Sequence, residues 1–156
     1  MFAQTFNYIH HYSFNTNEVF PLLCPVKELE WIDGWNFEMV YSRSGVIEKN
    51  CVFITPFGQG IETVWLVTEY EPDINWVEFT RVTQGLFTVR ISIQLNESAE
   101  GCTAELTYRY TALSELGKTM ITSMVAKHFH DDMRYWERAV NHYLETGKKL
   151  SKELVC

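Results

Sequence analysis

The sequence predicts an α+β fold. A seven-stranded, curved antiparallel sheet wraps around one long C-terminal helix, and two short helices lie between the first and second strands. Three observations predict it. Between Asn36 and Leu113, six runs rich in Val, Ile, Thr and aromatic residues are separated by short turn signals, the pattern of antiparallel hairpins. After Ser114 the apolar period lengthens from two to between three and four, the period of a helix. Finally, Phe, Tyr and Trp together make up 15% of a chain of 156 residues. So many rings are open between two uses, a bulky core and a ring-lined pocket.

The elements follow in order. Phe2 to Phe14 reads as a strand with Phe6, Tyr8, His10 and Tyr12 on one face. Asn15 to Leu23 reads as a short helix, opened by a capping-box pair of Asn15 and Glu18. Pro21 keeps that helix short, kinked or late in starting. Pro25 stops it, and a second short helix runs through Glu28. Strands then fall at about 36–43, 51–56, 61–70, 76–83, 86–95 and 102–113. Turn signals such as Ser44-Gly45, Phe57-Gly58-Gln59-Gly60, Gln84-Gly85 and Glu100-Gly101 separate them.

The alternation is clearest in the last two strands. Phe87, Val89, Ile91, Ile93 and Leu95 face inward, as do Ala104, Leu106, Tyr108 and Tyr110, with polar residues between them. A sheet with one apolar and one polar face is covered on one side only. Around Phe53 and Trp65 both faces carry apolar residues, so the direction there is open. Ser114 is a good N-cap, and the stripe Ile121, Val125, Phe129, Met133, Trp136, Val140, Leu144 is helical. Gly147 stops this helix, and Gly117 is the only interruption expected in it.

The length fits one domain spanning residues 1–156. The apolar content excludes a disordered chain. No run approaches the ~20 apolar residues of a membrane span. The first residues lack the basic start and apolar stretch of a signal peptide, so a cytoplasmic location is expected. Thirteen basic residues against 20 acidic give a net charge of −7, which argues against nucleic acid and anionic membrane surfaces as partners. Cys24, Cys51, Cys102 and Cys156 form no C-x-x-C pair. They read as small buried residues or free thiols, not as zinc ligands or a disulfide framework. No nucleophile elbow, P-loop or dinucleotide fingerprint is present, and neither a cofactor nor a metal is expected.

A resemblance adds to this reading. The order of elements carries it, together with Val19-Phe20-Pro21-Leu22-Leu23-Cys24-Pro25, Glu28, Trp31, Gly34-Trp35, Gly45, Glu48, Cys51-Val52-Phe53-Ile54-Thr55, Glu62-Thr63-Val64-Trp65 and Tyr110-Thr111-Ala112-Leu113-Ser114-Glu115. Over nearly its whole length the chain resembles the SRPBCC group of bacterial proteins, within the START / birch-pollen-allergen helix-grip superfamily. The resemblance implies a helix-grip fold with a deep, mostly apolar cavity between sheet and helix. The superfamily includes lipid and hormone carriers, polyketide cyclases and aromatases, ring-hydroxylase subunits and chaperone cofactors, so fold carries over more firmly than function. No motif of its enzymatic branches is recognised here.

The residues expected to line the cavity are Trp31, Trp35, Phe53, Trp65, Phe87, Tyr108, Tyr110, Met124 and His128. His128 borders the helical stripe and shares a helix face with Asp132, a spacing that suits an acid/base pair as well as an exposed polar face. His10 is expected to look inward as a hydrogen-bonded core histidine. Trp31 and Trp35 either plug one end of the grip or rim a portal. Glu28, Glu48 and Glu62 read as loop-bracing or surface carboxylates, unless one reaches the cavity with a raised pKa. Cys24, read at a helix C-terminus, lacks the setting of a nucleophile. Glu78, Arg81, Arg90, Glu105 and Arg109 read as a charge ladder on the outer face.

The leading functional expectation is a carrier or sensor that binds a hydrophobic or aromatic small molecule in a cavity of several hundred Å³. The alternative is a cyclase/dehydratase-type enzyme using His128 with Glu48 or Glu62. A third is an interaction module that presents an exposed apolar patch. A homodimer through an exposed strand edge is open as well.

Overall fold

The structure, a computed structural model, describes residues 1–152; Cys156 lies outside them. Seven strands form one sheet: β1 (Ala3–Tyr12), β2 (Glu38–Tyr41), β3 (Val52–Gly58), β4 (Ile61–Glu71), β5 (Trp76–Thr83), β6 (Phe87–Ser98) and β7 (Gly101–Ala112). Their order is β1-β7-β6-β5-β4-β3-β2, and every neighbouring pair is antiparallel. Because β1 and β2 occupy opposite edges, the chain between them must cross one end of the sheet. The crossing carries α1 (Thr16–Val19), a 3₁₀ turn over Phe20–Leu22 and α2 (Pro25–Trp31).

Local chemistry sets these boundaries. The Asn15 side chain accepts from the Glu18 amide, and the Glu18 carboxylate accepts from the Asn15 amide. The first helix tightens at Pro21, which has no amide hydrogen to continue it. Pro25 occupies the first turn of α2, where a missing N–H costs nothing. Cys24 therefore caps the start of α2, which corrects its expected place at a helix C-terminus. Cys24, Cys51 and Cys102 are free and buried. Burial pushes the Cys102 thiol up to about 11.

The sheet turns the expected faces inward. All five inward positions of β6 and all four of β7 are buried. The ambiguity around β3 and β4 resolves with Phe53 and Trp65 inward and Ile54, Val64 and Leu66 outward. On the outer face Glu78 pairs with Arg90 at 2.8 Å and accepts from Thr68. Arg81 is not part of that ladder. It is opposite Trp65 and Val89, both inward, so it too faces inward.

The C-terminal helical segment runs from α3 (Glu115–Met120) through a wide π-type turn over Ile121–Val125 into α4 (Ala126–Thr146). The turn is a real departure from the unbroken helix expected. Ala126 donates to Ile121, five residues back. Steps of four overrun the 3.6 residues of an α-helical turn. The wider turn absorbs the excess and keeps Ile121, Phe129 and Met133 on the buried face. Side chains of α4 fasten it to the end of β1. Glu137 accepts from the His11 amide at 2.7 Å, and Asn141 bonds His11 and Ser13 backbone groups at 3.1 and 3.0 Å. No helix among the described residues is long and apolar enough to cross a membrane.

Gly117 does not interrupt the helix. It lets α3 press against the β5–β6 turn, where an added Cβ would stand 1.8 Å from the Leu86 carbonyl oxygen. Since the obstruction is backbone, Gly117→Ala is expected to cost about 2 kcal/mol or more in urea unfolding. The exposed neighbour Lys118→Ala should stay within about 0.5 kcal/mol.

Candidate functional site

One transverse row of the sheet organises the concave face. Register places Phe53, Trp65, Arg81, Val89 and Tyr110 side by side across β3 to β7. Phe53 stacks on Trp65 at 5.2 Å between ring centroids, and Trp35 meets Trp65 edge-on at 6.3 Å. Trp31 and Trp35 are held by their indole N–H groups, which donate to the carbonyls of Leu22 and Pro25 at 3.0 and 2.8 Å. The crossing segment thus presents two fixed tryptophans to the sheet.

Between these rings and α4 lies an inner cavity of about 50 Å³, bordered by Trp31, Trp35, Phe53, Trp65, Tyr108 and Trp136 among others. This is far below the several hundred Å³ expected. The rings that were to line the space largely fill it. The remaining volume suits a few water molecules.

The polar side chains Glu28, His10 and Tyr12 also border the cavity, as Tyr108 does. Glu28 projects from α2 among the tryptophans, and loss of hydration raises its pKa to about 8. The shift favours the neutral acid, which can donate a hydrogen bond, in this half-buried side chain. The expectation of a surface or bracing carboxylate fails for Glu28. It holds for Glu48, which accepts from the Arg43 and Ser44 amides and sits below its usual range, and Glu62 is exposed. His10 is buried, with Nδ1 2.5 Å from the Tyr12 hydroxyl and Nε2 without a hydrogen-bond partner. Desolvation lowers its pKa to about 4, against an opposing pull from the Met133 carbonyl, so the ring is neutral.

A second space opens outside the first. Between α4 and the β5–β7 side of the sheet runs a groove of about 410 Å³, and Tyr108 and Trp136 border both spaces. They form the partition between the groove and the inner cavity. Arg81 enters the groove from the sheet, and Asp132 and His128 border it from α4. Burial raises the Asp132 pKa.

Of the residues expected at the site, Trp31, Trp35, Phe53, Trp65 and Tyr108 border the inner cavity. Tyr110, Met124 and His128 border the outer groove, as Tyr108 also does. Phe87 lies in neither, packed on Tyr110 at 5.4 Å and Phe57 at 6.0 Å. His128 is exposed, and Glu48 sits in the loop after β2, so the acid/base pairing of His128 with Glu48 or Glu62 is corrected. Sequence reasoning missed Arg81 and underrated Glu28. Strand parity was the available signal for Arg81, which shares its face with Val77 and Phe79. Among the described residues no group of three or more His, Cys, Asp or Glu side chains could hold a metal ion.

Solved structures share this architecture. Ara h 8.0201 superposes with a TM-score of 0.71 at 13% identity, over 93% of this chain and 99% of that one. Norcoclaurine synthase from Thalictrum flavum, solved with dopamine and hydroxybenzaldehyde, gives 0.69 at 8% identity over 94% and 89%. DynU16, from the dynemicin biosynthetic locus, gives 0.61 at 18% identity. The match covers 92% of this chain and 48% of DynU16, so the chain spans about half of that protein. No protein-family model matches the sequence, and no curated protein matches it significantly. At these identities the likeness shows the fold, and the fold is the helix grip that the sequence resemblance implied.

The raised pKa of Glu28 makes stability depend on pH. The stability its neutral form contributes is complete below about 4.5, the unfolded value, and is lost as pH rises through about 8. Glu28→Gln cannot ionise. The melting temperature of Glu28→Gln relative to the native protein should therefore climb between pH 5 and 8 and level off above, read by thermal unfolding across a pH series. A difference independent of pH would refute the burial of an acid at this position.

Proposed function

We propose that the protein binds a small, largely aromatic molecule that enters by the outer groove and seats its rings against the tryptophans of the inner cavity. The observation that carries this reading is the paired arrangement of the two spaces. A ring-lined cavity of about 50 Å³ adjoins a groove of about 410 Å³ across two side chains, Tyr108 and Trp136. Taken together they fall within the ~300–1,000 Å³ of ordinary ligand sites, although the inner one alone does not. Binding then requires the partition to swing, a side-chain rotation without change of backbone. Affinity comes from burying apolar rings, and neutral Glu28 supplies an oriented hydrogen-bond donor to an oxygen or nitrogen of the ligand.

A second reading is favoured by one observation, the elevated pKa of Glu28 inside a cavity that also holds the neutral, half-unsatisfied His10 ring. A carboxylic acid poised near neutrality is suited to general acid catalysis. In that reading Glu28 replaces His128, Glu48 and Glu62 as the acid/base group.

The test is a titration with N-phenyl-1-naphthylamine, a neutral aromatic dye, followed by energy transfer from the cavity tryptophans. Saturable one-to-one binding is expected. Ala104 is buried and borders the inner cavity, so Ala104→Phe should fill the space and weaken dye binding about tenfold or more, with the fold retained by circular dichroism. Dye affinity unaffected by Ala104→Phe would place binding elsewhere and sink the proposal.

A further inference from the structure

The inner face of the sheet carries one charged side chain that the aromatic reading leaves unexplained. Arg81 lies half-buried in the middle of the transverse row, on a face otherwise made of rings, aliphatic groups and the mutually or indole-bonded hydroxyls of Thr55, Thr63 and Thr83. Its guanidinium sits 4.9 Å from the centre of the Trp65 ring and 6.0 Å from that of Tyr110. One terminal nitrogen donates to the Tyr110 hydroxyl at 3.0 Å. Its Nε is buried with no hydrogen-bond partner. Among the described residues no carboxylate forms a salt bridge with it. Asp132 borders the same groove from the opposite, helical wall.

Arginine does not lose its proton in a protein, and removing a charge from water without a counter-ion is costly. The two rings lessen that cost through cation–π attraction, and they also fix the guanidinium in one place. Beyond the neutral Tyr110 hydroxyl, what the arrangement lacks is an anionic acceptor and a partner for Nε. The geometry points to an anionic group, a carboxylate, as the polar head of the bound molecule, held by Arg81 in the outer groove while its aromatic body passes the partition. This inference rests on the aromatic-ligand reading and adds the ligand's charge and its orientation. A planar carboxylate matches the forked donors of arginine. Asp132 on the helical wall repels the same group, which keeps it on the sheet side of the groove.

The test compares 2-naphthoate with 2-naphthamide, two molecules of one shape that differ in charge, as displacers of bound N-phenyl-1-naphthylamine. The native protein is expected to prefer the naphthoate by about tenfold or more, the scale of a charge-assisted hydrogen-bonded contact. Arg81→Met keeps the length of the side chain and removes the charge. It should bring the ratio of naphthoate to naphthamide affinity, both measured in the same variant, close to one. Arg81→Lys retains charge without the fork and should keep part of the preference. In the native protein, the naphthoate alone should weaken between low and high sodium chloride, a readout that needs no variant to fold. Equal displacement by the two molecules, or a preference that survives Arg81→Met, overturns the anion assignment and leaves the aromatic cavity standing. Failure of N-phenyl-1-naphthylamine itself to bind the native protein overturns the reading beneath both.

Discussion

A seven-stranded sheet exposes more apolar face than one helix can cover, and the remainder of the structure answers that mismatch. α4 is fastened to β1 through Glu137 and Asn141, so it lies over the β1 and β7 side. The β3 to β5 side is left without a helix of its own. It is covered by the segment that must in any case cross from one edge of the sheet to the other. That segment is short and thin, and long rings compensate for it. Trp31 and Trp35 reach down from the crossing, and Phe53, Trp65 and Phe79 reach up from the sheet. The high aromatic content is therefore both core and lining, the two uses that composition alone left open.

Close packing of this kind leaves little tolerance for polar groups. Most polar side chains near the core are satisfied locally: the Trp65 indole by Thr55, Thr63 by Thr83, and Tyr135 by Asp33 and Leu150 backbone groups. His10 and Arg81 are exceptions: Nε2 of the neutral histidine and Nε of the charged arginine are both buried without a hydrogen-bond partner. Departures from local satisfaction of this sort concentrate where a protein meets something other than itself.

The strands, their inward faces on β1, β6 and β7, the capping box at Asn15 and the stop at Gly147 were legible because each rests on a short-range pattern. Arg81 was misread because charge outweighed parity. An arginine in a strand is usually outward, yet Val77 and Phe79 had already fixed the odd positions as inward. Glu28 was underrated because its environment is made by Trp31, Trp35 and a sheet far away in sequence. The size of the cavity was illegible for a related reason. Sequence identifies which rings face a space, but their rotamers decide how much of it they occupy. The wide turn at Ile121–Val125 did leave a trace, the unbroken run of steps by four from Ile121 to Met133.

That turn has a consequence for how the chain can change in length. A π-type turn is an α-helical turn carrying one surplus residue. Deleting one exposed residue there, Thr122 or Ser123, lets the segment close as ordinary α-helix with Phe129, Met133 and Val140 still against the sheet. The same deletion within α4 would rotate everything beyond it by roughly 100° and turn the apolar stripe toward water. The helix thus holds a single point at which the reading of its face is insensitive to a one-residue loss.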